Sequence, residues 1–161
     1  MTTTSARPTQ YYFEDLEEGK ELPVVLKKKP TPRQLAQWAG ASGDFYEIHY
    51  DLPFAQSTGL QNIIVHGALK FAWLGQLMSD LAGPDGAVKK VNCSYRGMDE
   101  PDNLIAGQRN VPSEVTIKGT VKRKWKESGE NLVECDMWLE NAKGEKTTPG
   151  TGVVALPARG R

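Results

Sequence analysis

The stretch GALKFAWLGQLMSDLA, residues 67–82, decides the fold class. Leu69, Phe71, Trp73, Leu74, Leu77, Met78 and Leu81 spread around most of a helical circumference, and only Lys70, Gln76, Ser79 and Asp80 interrupt them. A helix that is apolar on most sides leaves water only when other elements surround it. Gly83-Pro84 follows as a stop signal.

Downstream of this helix the apolar period changes from 3.6 to two. Strands are predicted over residues 88–95, from Val115 through Ile117 to Val121, across Val133, Cys135, Met137 and Leu139, and over residues 147–156. Ser128-Gly129 and Lys143-Gly144 mark hairpin turns between them. Upstream, residues 21–28 carry Leu22-Pro23-Val24-Val25-Leu26 and read as a first strand. Thr31, Pro32 and Gln34 then form an N-terminal helix signature with a capping box. Leu35, Trp38 and Ala39 supply its apolar face, and the helix should end near Gly40. Residues 41–60 read as irregular, interrupted by Gly43, Pro53 and Gly59. The order of one strand, helices and four strands predicts an α+β fold, with helices gathered on one face of an antiparallel sheet. A sheet wrapped around a long central helix resembles the hot-dog arrangement.

Composition narrows the function classes. The chain has 161 residues, suited to one domain, with 39% apolar and 25% charged residues. We expect a loose polar tail over residues 1–10 and a single domain over 11–161. Twenty basic residues balance twenty acidic ones, which argues against a nucleic-acid binder or a membrane-surface protein. No apolar run reaches the roughly 20 residues of a membrane span. The first ten residues have no apolar stretch of the secretory kind, so the cytoplasm is the default expectation. Cys93 and Cys135 are spaced for neither a zinc site nor a disulfide scaffold and read as reduced strand residues.

The chemistry concentrates around the chain's two histidines. Asp44 and His49 lie five residues apart across a turn led by Gly43, close enough for the turn to bring both side chains into one space. A carboxylate beside an imidazole can hold a water, and hydration of an activated double bond needs one base and one acid. The helix starting at His66-Gly67 offers backbone amides and a positive dipole end to a developing oxyanion. Gly67 has no side chain to block an approaching carbonyl. Against these readings, an Asp-x4-His pair is commonly surface polarity, and His66 and Gly67 could serve helix entry alone.

Gly43, Asp44, Ile48, His49, Asp51 and Ala55, with Ile64-Val65-His66-Gly67, resemble the two signatures of (R)-specific enoyl-CoA hydratases and MaoC-like dehydratases. Ala82-Gly83-Pro84 before a strand is similar to actinobacterial 3-hydroxyacyl dehydratase subunits and steroid-side-chain hydratases. The resemblance implies that Asp44 and His49 activate water and that the Gly67 amide stabilises a thioester enolate. It implies an (R)-3-hydroxyacyl product, no metal and no redox cofactor. The family's Asn-Pro is replaced here by Tyr46-Glu47, which bears on how the pair is held.

His66, Tyr46 and Arg96 are further candidates for substrate contact, Arg96 through a phosphate. Two basic clusters, residues 27–29 and 122–126, could dock the phosphates of coenzyme A or an acidic acyl carrier protein, or be solvated strand ends. Phe71 and Trp73 read as core. A lone sheet of this kind exposes an edge, so a homodimer or a heterodimer with another hot-dog subunit is expected. An acyl-CoA thioesterase and a non-catalytic partner subunit are the competing functions.

Overall fold

Alternation of apolar residues on four consecutive strands gives one curled sheet with a single buried face. The computed structural model describes residues 9–102 and 114–160. Its elements are β1 (Val25–Lys28), α1 (Pro32–Ser42), α2 (Leu52–Ser57), α3 (Gly67–Ala82), β2 (Ala87–Cys93), β3 (Glu114–Glu127), β4 (Glu130–Glu140) and β5 (Lys146–Leu156). The strands pair antiparallel in the order β1-β3-β4-β5-β2, so β1 and β2 are the sheet edges. Among the described residues, no helix is long and apolar enough to cross a membrane.

Helix α3 lies against the sheet. Leu74, Leu77, Met78 and Leu81 pack with Ile117, Val121, Val133, Cys135, Met137 and Val154. A second cluster, Leu35, Ala55, Ile63 and Val65, joins α1 and α2 to α3 through Leu69 and Trp73, and Trp73 touches both clusters. Cys93 and Cys135 are free thiols on β2 and β4, and burial pushes the Cys135 thiol up to about 12. Phe71, expected in the core, is 39% exposed. Lys70, expected to interrupt the apolar surface, is buried.

The local signals act as their chemistry requires. At the start of α1 the Thr31 hydroxyl accepts from the Gln34 amide (3.3 Å), and the Gln34 side chain accepts from the Thr31 amide (2.9 Å). α1 runs to Ser42, two residues beyond the predicted stop, and Gly43 caps it in the left-handed region at φ 77°. Ser128 and Gly129, at φ 50° and 80°, make the two-residue turn joining β3 to β4. The first strand is shorter than predicted, because Glu21 makes only an isolated bridge to Thr120. Helix α2 falls inside the segment read as irregular. Pro53 sits in its first turn, where a missing N–H costs nothing, and the Asp51 carboxylate caps the Phe54 amide at 3.0 Å. Of the expected tail, residues 1–8 lie outside the described residues, and the Gln10 side chain bonds the Ala82 carbonyl and the Asp85 amide.

Helix and sheet meet closely at Gly152. A Cβ there would stand 1.9 Å from the Met78 sulfur, which has no exposed surface to retreat into. Gly152→Ala should therefore cost about 1–3 kcal/mol in urea unfolding, the range for overpacking a filled core.

Candidate active site

Two chain segments converge at the start of α3. After Gly43 the chain turns, and residues Glu47–His49 form a 3-10 turn. The Ile64 amide donates to the Ile48 carbonyl (3.1 Å), and the Ile64 carbonyl accepts from His49 Nδ1 (2.8 Å). His49 is thereby fixed two residues upstream of α3's entry and packs face to face on His66. The ring centroids are 3.8 Å apart, with 22° between the planes.

These contacts assign the protons on both rings. A carbonyl oxygen can only accept, so His49 carries its hydrogen on Nδ1 when neutral and leaves Nε2 as a lone pair. His49 Nε2 stands 4.0 Å from Asp44 Oδ2. Two acceptors at that distance make no direct hydrogen bond, but a water donating about 2.8 Å to each spans it. The Asp44 side chain is 41% exposed and that of His49 8%, so the gap opens to solvent on the carboxylate side. Asp44 is lightly held through its side chain, which accepts the Tyr46 amide at 3.4 Å.

His66 has no exposed surface. Its Nε2 donates to the Asp44 carbonyl at 3.3 Å, and its Nδ1 is buried with no partner among the described residues. Burial holds the His66 imidazole below its ordinary 6.5, and the neighbouring His49 adds to this, against smaller opposing effects of the Asp44 carbonyl and carboxylate. The sign follows: as pH falls through 6.5, the unfolded chain takes a proton that the buried ring resists, and stability drops.

Gly67 opens α3 without a side-chain cap. The Gly67 and Ala68 amides have no partner among the described residues. The space beside Gly67 is taken by this chain's own Tyr95, whose ring would meet a Gly67 Cβ at 3.0 Å. Desolvation of the Tyr95 phenol, aided by Cys93, raises it above its ordinary value, although the residue as a whole is 55% exposed. Tyr46 turns its ring edge-on to His49 (6.4 Å) and to Phe54 (6.0 Å), within the same cluster as the pair. Arg96 is elsewhere: its side chain lines a depression on the outer face of the sheet with Asn92, Trp138 and Lys146.

Asp44, His49 and His66 each offer a donor atom, all within 4.8 Å of one another. Donors around a tetrahedral zinc with bonds of about 2.0 Å stand roughly 3.3 Å apart. The Asp44 and His49 donors stand 4.0 Å apart, so the set would have to close in to hold such an ion.

One group escaped sequence reasoning. Lys70 Nζ donates to Asp99 Oδ2 (2.9 Å) and to the Gly97 carbonyl (2.8 Å). The Thr147 hydroxyl donates to the same carboxylate oxygen at 2.7 Å, and the Asp99 carbonyl accepts from the Val65 amide at 2.7 Å. Both charged side chains are 3% exposed. The signal was present, since Lys70 is in helical phase with Leu74, Leu77 and Leu81 and so faces inward. This pair ties the loop carrying Tyr95 to α3.

The comparisons agree with this architecture. A family model described as a MaoC-like domain matches residues 14–131. An (R)-hydratase from A. caviae involved in PHA biosynthesis superposes with TM-score 0.71 at 24% identity, covering 89% of this chain and 99% of that one. R-hydratase PhaJ1 from Pseudomonas aeruginosa gives 0.74 at 19%, covering 92% and 86%. The ChsH1-ChsH2 complex from Mycobacterium tuberculosis gives 0.70 at 19%, covering 87% and 98%. At these identities the likeness establishes the hot-dog fold. No curated protein sequence matches the chain.

Lys70→Met leaves the Asp99 carboxylate buried without its cation and should cost about 3–5 kcal/mol in urea unfolding, as when one partner of a buried pair is removed. Lys70→Met with Asp99→Asn should lose less than the sum of the two single changes.

Proposed function

From the chain's membership of the MaoC-like domain family, we propose that it is a hydratase/dehydratase interconverting a trans-2-enoyl thioester and an (R)-3-hydroxyacyl thioester. The observation that carries this reading is the 4.0 Å gap between His49 Nε2 and Asp44 Oδ2, beside an uncapped helix start. A water in that gap meets two acceptors and is oriented by both. On addition, its oxygen bonds to C3 of the enoyl group and one of its protons passes to the dyad. The electron pair moves to the thioester oxygen, where the Gly67 amide and the α3 dipole stabilise the enolate. A proton then returns from the dyad to C2. One of Asp44 and His49 acts as base and the other as acid, and the reverse sequence is dehydration. No step requires a metal or a redox cofactor.

The acyl chain has a place to lie. A groove of about 520 Å³ between α1, β1 and α3 is lined by Trp38, Ala41, Leu69 and Trp73, with Lys27 and Lys28 at its rim. Its lining comes from the helices on either side of the dyad's turn and includes none of Asp44, His49 and Gly67. The rim lysines suit phosphates. The second basic cluster suits them less, because Lys122 and Arg123 are paired with Glu134 and Lys124 bonds the Phe13 carbonyl. The thioester carrier is coenzyme A or an acyl carrier protein. Tyr46, 50% exposed beside His49, is a substrate contact on this reading.

The active assembly is a homodimer or a heterodimer with a second hot-dog subunit. Two observations support it: β1 and β2 are the outer strands of the sheet among the described residues, and Phe45, Tyr46, Tyr50 and Leu52 put exposed apolar surface around the site. One structurally similar protein is a ChsH1-ChsH2 complex.

A panel of trans-2-enoyl-CoA substrates tests the reaction, with enoyl absorbance and free CoA followed separately. Loss of enoyl absorbance without CoA release is expected, whereas CoA release would identify a thioesterase. Neither signal, with tight binding to another hot-dog chain, would identify a non-catalytic partner. Asp44→Asn and His49→Ala should each lower hydration by at least about a hundredfold, the lower end of acid–base contributions. A folded Asp44→Asn protein hydrating at the wild-type rate would remove the mechanism.

A further inference from the structure

We infer that His66 is a positioning residue that sets the Asp44–His49 gap: its Nε2–H holds the Asp44 backbone while its ring face holds His49. The inference rests on the hydration reading and deepens it. His66 touches both members of the pair, through a 3.3 Å hydrogen bond to the Asp44 carbonyl and a 3.8 Å ring stack on His49. Asp44 needs such a hold. It follows a left-handed glycine, its side chain is 41% exposed, and its carboxylate receives one long bond from the Tyr46 amide. His66 by contrast is rooted at the entry of α3, the helix with the most buried residues among those described, and has no exposed surface.

A purely structural role explains this residue poorly. The position is the N-cap of a sixteen-residue helix, where Ser, Thr, Asp or Asn would bond a free amide and add about 1 kcal/mol. His66 makes no such bond. It also buries Nδ1 without a partner among the described residues, and a polar atom buried in that way costs about 1–3 kcal/mol. Two sources of stability are forgone at one position. What the imidazole offers in exchange is a flat ring and a donor aimed at the residue that carries the carboxylate. Being fully buried, it contacts Asp44 and His49 rather than the acyl group, so it acts through them.

Two substitutions separate the parts. His66→Phe keeps a flat ring of similar size, removes the donor and removes the unpartnered nitrogen. His66→Gln keeps a donor of similar reach and loses the ring. The full-length variants are assayed on the enoyl-CoA that the wild type hydrates fastest, alongside urea unfolding. His66→Phe should unfold at the same or higher urea than wild type, yet lose about tenfold to a hundredfold in kcat with KM within about threefold, as expected for a displaced reacting pair. His66→Gln should recover kcat to within about fivefold of wild type, and His66→Phe should add little further loss in an Asp44→Asn background.

The inference is overturned if His66→Phe turns over within about twofold of wild type, if Gln rescues nothing, or if the Phe loss persists undiminished without the Asp44 carboxylate. Failure of the underlying reading looks different: the wild type itself would then hydrate no enoyl-CoA. In that case imidazole 15N shifts of the full chain decide the geometry. A neutral His66 protonated on Nε2 sustains the hold on Asp44, and a ring protonated on Nδ1 sinks it.

Discussion

Ile64 makes two hydrogen bonds, and the site depends on both. Its amide donates to Ile48 and its carbonyl accepts from the His49 ring, so the turn after α1 is fastened to the last extended residues before α3. Without that fastening, Asp44 and His49 would sit on a surface loop, where an exposed carboxylate and an imidazole have no reason to keep a separation. With it, the turn inherits the rigidity of a helix packed on five strands. The geometry of the pair is thus set by backbone bonds and by burial, not by attraction between its members, whose 4.0 Å separation is too long for a hydrogen bond.

The same logic explains which parts were legible in the sequence. Period-two strands, the Ser128-Gly129 turn and the apolar run of α3 report burial directly, because each apolar residue acts on its own. The pairing of Asp44 with His49 was legible only through spacing and family resemblance, since neither residue type implies the other. Helix α2 was hidden because its stability lies in one cap and one proline within six residues, too short for periodicity. Lys70 reads as an interruption because a charge on an apolar helix ordinarily is one. Its phase with Leu74 and Leu77 pointed inward, but its partner Asp99 is 29 residues away, and no local pattern announces it.

Lys70 and Asp99 reach the site indirectly. Desolvating two charges is costly, and such pairs seldom add net stability over apolar residues of similar volume. Their value here is geometric. The pair, with Thr147 and the Val65–Asp99 backbone bond, joins α3, β5 and the loop after β2 at one point. That loop brings the Tyr95 ring against Gly67, occupying the space that the missing side chain leaves. Glycine at 67 therefore serves packing inside the chain. On the proposed reading, a thioester oxygen would approach the helix amides past the Tyr95 ring.

The replacement of the family's Asn-Pro by Tyr46-Glu47 can be judged on the same terms. Proline at 47 would restrict residue 46 to extended backbone and suit the first position of a helical turn. Tyr46 is extended, at φ −68° and ψ 122°, and Glu47 is the first residue of the 3-10 turn. The backbone thus keeps the path that proline would impose, without proline to impose it. The restraint is transferred to side chains and turn bonds. The Tyr46 ring rests edge-on against Phe54 and His49, and the Glu47 carbonyl accepts from the Tyr50 and Asp51 amides. A side-chain clamp of this kind can be displaced by a ligand, whereas a proline ring cannot. On the proposed reading, a ligand touching the half-exposed Tyr46 would bear on the turn that carries Asp44 and His49.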